Sequence, residues 1–371
     1  MNRIKSIDKG VLVVEPGAVM SRIEAETREH SGQELRMHPS TRESATIGGF
    51  IAGGSGGVGS IRWGMLREPG NILRLRLATL EESPRLIDLT GEEIAIVHHS
   101  YGVNGVITEV ELPLAPAQDW VELMVAFDDW MTAVRAGWAV AHHEGLWLKQ
   151  LAAIQAPAPH DYFTRYRKFL REGDNLLCIL AAPNAVRPLL DLLQKDGGRV
   201  AFRSDTASNE DKKGLPHLYH LTWNHTTLQA LKVEPEITYL QVGTPEADPL
   251  GAIEAIAECY PDEIVGHVEF VRAAGRLYAT LLPLYRYSGE ARMMEVVSEL
   301  EAMGCGCYSP HVYTFEEGNR CDADRARLDL KRRADPKGLL NPGKMIGWED
   351  PDYAYDPTGS YEYAGLRKAA L

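Results

Sequence analysis

Residues Thr41–Gly64 read TRESATIGGFIAGGSGGVGSIRWG, and this glycine-rich stretch is the strongest local signal in the chain. Eight of these residues are glycine. Each glycine in a helix interior costs on the order of 1 kcal/mol against alanine, so the stretch predicts a loop rather than a helix. A flexible surface linker is one interpretation of such a run. A buried, ligand-contacting loop is the other, and it is favoured by the apolar residues that interrupt the run, which are Ile47, Phe50, Ile51 and Val58.

Composition restricts the class of protein. The 371 residues carry a formal net charge of −13, which disfavours nucleic acid and anionic membranes as partners. At this length two domains are expected. No apolar run reaches the roughly 18 residues of a membrane-spanning helix, and the N-terminus has no apolar signal region. The five cysteines are scattered, as is typical of a reducing compartment. These features predict a cytoplasmic protein without a transmembrane segment.

Apolar periodicity predicts two regions. Before residue 117, a strand at 11–15, a helix at 19–30 and strands at 72–77, 85–88 and 106–112 surround the glycine stretch. After residue 117, strands alternate with amphipathic helices, which predicts an α+β sheet with helices on one face. The strands predicted there are 146–153, 175–182, 200–203, 237–242, 267–272 and 277–282. The helices predicted there are 160–172, 184–195, 249–259, 291–303 and 321–334.

Four stretches stand in a specific order. They are VVEPG at 13–17, ATIGGFIA at 45–52, GVNGVITE at 102–109 and DPKGLLNPGK at 335–344. They are similar to the VEPG, ATIGG-x-IA, GTLGVITE and DPKGILNPGK segments of flavin-linked oxidases and dehydrogenases of the vanillyl-alcohol oxidase and p-cresol methylhydroxylase (PCMH) type. The chain most resembles the branch that contains the glycolate oxidase subunit and D-lactate dehydrogenase.

The resemblance implies FAD as cofactor and an α+β fold. It implies a PCMH-type FAD-binding domain at 1–116, a cap or substrate domain with a mainly antiparallel sheet at 117–334, and a C-terminal segment at 335–371 that returns to the FAD domain. The family's RGGGT-type loop, which cradles the FAD diphosphate, has no counterpart, since Met1–Ile4 aligns beyond it. The FAD domain is therefore expected to be incomplete at its N-terminus.

Ten residues are expected, from the resemblance, to contact the cofactor. They are Thr46, Ile47, Gly48, Gly49, Ile51, Gly105, Val106, Ile107, Asn341 and Lys344. The loop residues are expected to act through backbone N–H groups and small side chains, because β-carbons would block the approach of the flavin. Lys344 is expected near flavin N1, where a cation stabilises the reduced anionic ring.

Three histidines are candidates for the base that removes a substrate proton: His311, His267 and His225. For each of them a satisfied structural histidine is the alternative. Arg272 is a candidate for holding a substrate carboxylate, with an exposed salt bridge as its alternative. Glu317 either orients His311 or is a solvated loop acid. The family's H-x-x-G-D-G-N-x-H metal stretch is missing, so no metal ligand is assigned.

The sequence thus predicts an FAD-dependent oxidoreductase that transfers a hydride from a CH–OH group of a small hydroxy acid or alcohol to flavin N5. Its electron acceptor is unknown. The alternative is a non-catalytic or truncated homologue that acts as a subunit or scaffold without tight FAD binding. A homo-oligomer or a partner subunit is compatible with either hypothesis.

Overall fold

The computed structural model describes residues 1–308, 313–318 and 323–353. These residues form two compact units. The first unit contains residues 1–57, 63–117 and the described residues from 313 to 353, and the second contains residues 58–62 and 118–308. This division places the helix Ala323–Ala334 in the first unit, whereas the predicted domain boundary placed it in the cap. The roles given to the domains stay predictions.

The first unit is built on a six-stranded antiparallel sheet. Its strand order is Ile4–Asp8, Val11–Val14, Val106–Pro116, Arg74–Ala78 and Leu86–Thr90, with Gln33–Leu35 also paired to Val106–Pro116. Leu75 and Leu77 point into the core, while Arg74 points to the opposite face and binds Glu109 at 2.6 Å. This alternation is the period-2 pattern that the sequence predicted for the strand.

Helices cover the apolar face of this sheet. They are Met20–Ser31, Ile47–Gly53, Ala323–Ala334 and the 3₁₀ helix Gly91–Ile96. The four-residue helices Phe315–Gly318 and Ile346–Glu349 pack against each other. Another four-residue helix, Ser60–Trp63, follows the glycine run. The helix Met20–Ser31 ends at Gly32, which adopts the left-handed conformation with φ +66°, as a C-terminal glycine should.

The helix Ile47–Gly53 corrects the prediction that the glycine stretch is a loop. Thr46 caps this helix, because its Oγ1 accepts a hydrogen bond from the Gly49 N–H at 3.2 Å. Its apolar residues Ile47, Phe50 and Ile51 are buried in the core of the first unit. Capping and burial outweigh the low helix propensity of glycine, since most helical stability in proteins comes from packing an apolar face.

The second unit contains an eight-stranded antiparallel sheet. Its strand order is Arg199–Arg203, Val121–Phe127, Asn175–Ala181, Leu148–Ile154, His267–Ala273, Arg276–Leu281, Gln241–Gly243 and Gly306–Tyr308. A three-stranded sheet has the order Ile237–Tyr239, Leu284–Arg286 and Ile264–Val265. The predicted strand 237–242 is therefore two strands in different sheets.

Four longer helices share the main core of the second unit: Trp130–Ala141, Val186–Lys195, Pro249–Cys259 and Glu290–Ala302. The opposite face of the large sheet carries a second core, covered by shorter elements. These are the helices Ala158–Tyr162 and Asn224–Leu231 and the 3₁₀ helices Arg167–Phe169 and Leu218–Leu221. The 3₁₀ helix Pro183–Ala185 contributes Ala185 to the main core, and the helix Asn209–Lys212 has no buried residue. The predicted helix 160–172 is wrong, because that segment contains only two short helical pieces.

Sequence periodicity missed the strand Val121–Phe127 and the helix Trp130–Ala141. The remaining predicted elements agree with the structure to within a few residues at each end. None of the helices in the described parts of the chain is both long and apolar enough to cross a membrane.

Candidate functional site

The N–H groups of the glycine stretch are engaged within the chain. The Ile47 N–H donates to the Ala18 carbonyl at 3.0 Å, and the Gly48 N–H donates to the Pro16 carbonyl at 2.8 Å. A Cβ added at Gly48 would lie 2.5 Å from the Cβ of Pro16, so glycine is needed here for close packing within the protein. A Cβ added at Gly53 would meet no atom within 4 Å. Gly53 therefore lies at an open, exposed position, whereas Gly48 is closely packed.

A strained turn lies beside the end of this helix. His99 and Tyr101 both have φ +51°, which is uncommon for residues other than glycine. The His99 N–H donates to the Ile51 carbonyl at 2.9 Å, and the Tyr101 N–H donates to the Ala52 carbonyl at 2.8 Å. The predicted contact residue Ile51 thus lies in the core and holds this turn through its carbonyl. Strain of this kind is concentrated at functional sites in proteins.

The second predicted contact segment follows the strained turn. Gly105 is buried with φ +137°, and a Cβ there would lie 3.3 Å from Leu77 Cδ1. Val106 begins the long strand and is 38% exposed. Ile107 packs against the core of the first unit. Of these three predicted contacts, Val106 is the one whose side chain is accessible.

The return segment brings Asn341 and Lys344 to Tyr101. Asn341 has φ +43°, and its side-chain amide donates a hydrogen bond to the Tyr101 carbonyl. The Lys344 ammonium lies 4.6 Å from the centre of the Tyr101 ring and 4.5 Å from that of Tyr313. Among the described residues, no carboxylate lies within 4.0 Å of this ammonium. Burial lowers the pKa of Lys344. We call Tyr101, Tyr313, Asn341 and Lys344 the lysine–tyrosine cluster.

A buried ion pair anchors the return segment. The Lys331 ammonium contacts the Asp335 carboxylate at 2.9 Å and donates to the carbonyls of Val103 and Leu340 at 3.0 Å each. Asp335 also accepts hydrogen bonds from the backbone N–H groups of Leu339 and Leu340. Burial acts to raise the pKa of Asp335, but these hydrogen bonds outweigh it and lower the pKa. The anchor fixes the backbone directly before Asn341.

A second cation, Arg327, lies beside the strained turn. Its guanidinium stacks on the ring of Phe315 at 4.6 Å and donates to the His98 carbonyl at 3.0 Å. His98 is 1% exposed, and its Nε2 has no hydrogen-bond partner among the described residues. Burial lowers the pKa of His98 well below its usual range, and the charges of His99, Arg327 and Arg67 act in the same direction, while a hydrogen bond with the Gly54 backbone acts against them. His98 is therefore neutral at pH 7.

The second unit contains a self-contained polar network around Glu269. This carboxylate is 1% exposed and accepts hydrogen bonds from the Gln150 amide at 2.6 Å and from the Trp223 backbone N–H at 2.7 Å. His267 Nε2 lies 2.9 Å from the same carboxylate. The Trp223 indole N–H closes the network on Gln150 at 3.0 Å. We call these four residues the glutamate network.

Both ring nitrogens of His267 are engaged. Nδ1 lies 3.2 Å from the Leu282 carbonyl, which can only accept, so Nδ1 carries a proton. Nε2 contacts the Glu269 carboxylate at 2.9 Å. The geometry matches the structural alternative for His267 rather than a base open to a substrate.

The other candidate residues of the second unit, His225 and Arg272, do not belong to the glutamate network. His225 is half-buried near the start of the helix Asn224–Leu231, with its ring 5.1 Å from that of His220. Arg272 donates to the Ile61 carbonyl at 3.1 Å and to the exposed Glu144 carboxylate at 2.7 Å. Arg272 thus forms the exposed salt bridge that was its alternative role.

The last two predicted site residues are His311 and Glu317. His311 lies outside the described residues, and only the backbone of Glu317 is described, in the helix Phe315–Gly318. Its neighbour Glu316 is buried and accepts the N–H groups of Ile346 and Gly347 at 2.8 and 2.9 Å. Glu316 therefore stabilises the start of a short helix.

Sequence reasoning missed Tyr101, His98 and Arg327. Tyr101 was the easiest of them to predict, because it directly precedes the recognised segment 102–109. His98 and His99 are adjacent residues, which do not share a face, so their spacing signals no joint site. Arg327 lies 229 residues from His98 along the chain, and no local pattern signals such a contact.

Comparison with known proteins gives a family match for part of the chain. Residues 1–82 match the family described as FAD binding domain. No curated protein sequence matches the chain. Two solved structures, both of alkyldihydroxyacetonephosphate synthase in crystal forms P212121 and P1, match at TM-score 0.62 and 16% identity. They cover 93% and 92% of this chain, which spans about two thirds of theirs (67% and 66%).

These matches confirm the predicted cofactor and fold class. The chain has an FAD-binding domain of PCMH type, FAD is its cofactor, and the second unit adds an α+β region with an antiparallel sheet. The branch of the glycolate oxidase subunit and D-lactate dehydrogenase stays a prediction.

The residues of the first unit fit FAD. The flavin ring presents hydrogen-bond donors, acceptors and a face that stacks, and it becomes anionic when reduced. The lysine–tyrosine cluster offers a cation without a carboxylate and aromatic faces. His98 adds a buried nitrogen without a partner, and Gly53 adds open space.

Proposed function

We propose that the chain is an FAD-dependent oxidoreductase that acts on the CH–OH group of a small hydroxy acid or alcohol. The observation that carries the proposal is Lys344, whose ammonium is partly desolvated against two tyrosine rings in the unit that binds FAD. A partly buried cation without an acid partner is costly unless a ligand supplies negative charge. A flavin that gains charge on reduction would supply it.

FAD, when bound, supplies a two-electron acceptor for the substrate's hydride. Lys344 would hold positive charge beside the ring, and Asn341 would keep the turn that carries it against Tyr101. The Asp335–Lys331 ion pair would fix the backbone of the same segment just before Asn341. These residues bind and orient, and they move no proton themselves.

Removal of the substrate's hydroxyl proton requires a base. His267 is a poor candidate, because both of its nitrogens are engaged. His225 and His311 stay the proposed bases. Arg272, which pairs with the exposed Glu144, would have to exchange that partner to hold a substrate carboxylate, and Glu317 is proposed at the same site. The predicted role of these four residues awaits substitution experiments.

The test is an anaerobic absorption spectrum of the full chain, with and without added FAD. We expect the visible flavin band to appear with the protein and to bleach when a hydroxy acid such as glycolate or lactate, or a small alcohol, is added. Reoxidation by oxygen, a quinone or an electron-carrier protein then identifies the acceptor. A folded protein that binds no FAD would contradict the proposal and favour the non-catalytic subunit. A protein that binds FAD but is not reduced by any of these substrates would contradict the substrate class alone.

A further inference from the structure

His98 is a buried polar residue whose hydrogen bonding is incomplete. Its side chain is almost inaccessible, and Nε2 has no partner among the described residues. A buried nitrogen without a partner loses its hydration and gains nothing in return, so native proteins rarely retain one without a reason.

Two other polar side chains of the segment, Ser100 and Asn104, are hydrogen-bonded within it. The Ser100 hydroxyl lies 2.7 Å from the Val97 carbonyl and 3.1 Å from the Asn104 side-chain oxygen. The Asn104 amide donates to the Ile96 carbonyl at 2.8 Å. His98 Nε2 thus lacks a partner in a segment where the side chains of Ser100 and Asn104 have theirs.

The position of His98 points to the cofactor. Its ring lies 5.9 Å from that of His99, which lies 5.0 Å from that of Tyr101, the ring under Lys344. His98 thus forms the inner end of a row of rings that leads to the lysine–tyrosine cluster. The strained backbone at His99 and Tyr101 holds this row in place.

We propose that His98 is an FAD-contacting residue, whose Nε2 forms a hydrogen bond with the bound cofactor. The inference rests on the proposed function. A neutral imidazole offers one donor and one acceptor, and the flavin ring presents both kinds of partner. The low pKa of His98 keeps it neutral and so avoids adding a further positive charge next to Arg327 and Arg67.

The test compares His98→Leu with His98→Gln in the full chain. Leu has a similar volume and no polar atom, whereas the Gln amide can replace Nε2. We expect His98→Leu to weaken FAD binding about 5- to 15-fold, the equivalent of one hydrogen bond, and His98→Gln to stay within about 3-fold of the wild type. Apo stability is expected to be unchanged or raised in His98→Leu, because an unmet polar group is removed. His143→Leu, at an exposed position in the second unit, is the matched control.

A second readout is the ¹⁵N shift of the His98 imidazole, which is expected to change on addition of FAD. If the wild type binds FAD and His98→Leu binds it equally well with an unshifted imidazole, the inference is wrong and the proposed function stands. If His98→Leu loses apo stability and FAD binding together while His98→Gln does not restore binding, His98 is structural and the inference is also wrong. If the wild type binds no FAD, both fail.

Discussion

In the second unit the carboxylate of Glu269 has three hydrogen-bonding neighbours, whereas in the first unit the ammonium of Lys344 lies against two tyrosine rings with no described carboxylate in reach. The first arrangement is complete without a ligand. The second leaves a charge whose desolvation is not offset by an opposite charge. The comparison is the basis for proposing that Lys344 awaits a ligand, whereas Glu269 stabilises the fold.

The same contrast holds for the histidines. His267 has a partner for each nitrogen, whereas the buried Nε2 of His98 has none among the described residues. Both side chains are almost fully buried, so burial alone does not distinguish them. The completeness of the hydrogen bonding does: it favours a structural role for His267 and is the ground on which ligand binding is proposed for His98.

Replacing Glu269 by Ala should have the largest effect on stability. It leaves the Trp223 N–H, the Gln150 amide and His267 Nε2 without their carboxylate partner, and breaking a buried pair in this way costs about 3–5 kcal/mol. Urea unfolding of the full chain measures the loss. Glu144→Ala, which removes an exposed partner of Arg272, should change the free energy of unfolding by less than about 0.5 kcal/mol. Equal effects of the two substitutions would remove the distinction between a buried, hydrogen-bonded carboxylate and an exposed one.

Replacing Asp335 by Asn should have the second-largest effect on stability. The substitution keeps the shape of the side chain but leaves the buried Lys331 ammonium without its counter-charge. A hydrogen bond to a charged group contributes about 1.5–3 kcal/mol, which is the expected loss of unfolding free energy. FAD binding should weaken as well, because Asn341 and Lys344 follow this anchor. A loss of stability with unchanged FAD affinity would show that the anchor does not position the lysine–tyrosine cluster.

The glycines of the helix Ile47–Gly53 allow a matched pair of substitutions. Gly48→Ala should destabilise the protein by about 1–3 kcal/mol, because the new Cβ would overlap Pro16. Gly53→Ala meets open space and should be neutral or stabilise by up to about 1 kcal/mol. Thermal unfolding without FAD measures both. If Gly53→Ala nevertheless weakens FAD binding, the open space beside it is part of the ligand site.

The smallest expected effect is the contribution of Asp88 to stability at acid pH. Hydrogen bonds from Arg76 lower the pKa of Asp88 to about 2, below its value of about 3.9 in an unfolded chain. The stability that this pair contributes is therefore present above pH of about 4 and is lost as the pH falls towards 2. Asp88 is nearly half exposed, so the contribution is small and screened by salt. Asp88→Asn should flatten this part of the stability profile, and an unchanged profile would contradict the assignment.

Much of the fold could be predicted because its signals are local. The alternation at Arg74–Ala78, the C-terminal glycine at Gly32 and the ordered family segments each depend on a few neighbouring residues. The helix at Ile47–Gly53 could not be predicted in this way, since its stability depends on the Thr46 cap and on apolar partners in distant strands. Propensity alone gives the wrong answer there.

The candidate site was predicted only in part for the same reason. Asn341 and Lys344 were identified through the resemblance, but their contact with Tyr101 joins residues about 240 positions apart, and no periodicity signals it. His267 and Arg272 were chosen for their chemistry, which the sequence shows. Their partners Glu269 and Glu144 determine their roles, and these pairings require the structure.

The most direct test of the central claim is the dissociation constant of FAD for the full chain and for Lys344→Gln, with Lys344→Arg as the variant that keeps the charge. We expect saturable binding by the wild type. Binding by Lys344→Gln should be about 10- to 100-fold weaker, the equivalent of one charge-assisted hydrogen bond, and Lys344→Arg should lie between the two. Equal affinities for wild type and Lys344→Gln would contradict the claim that the lysine–tyrosine cluster binds the cofactor.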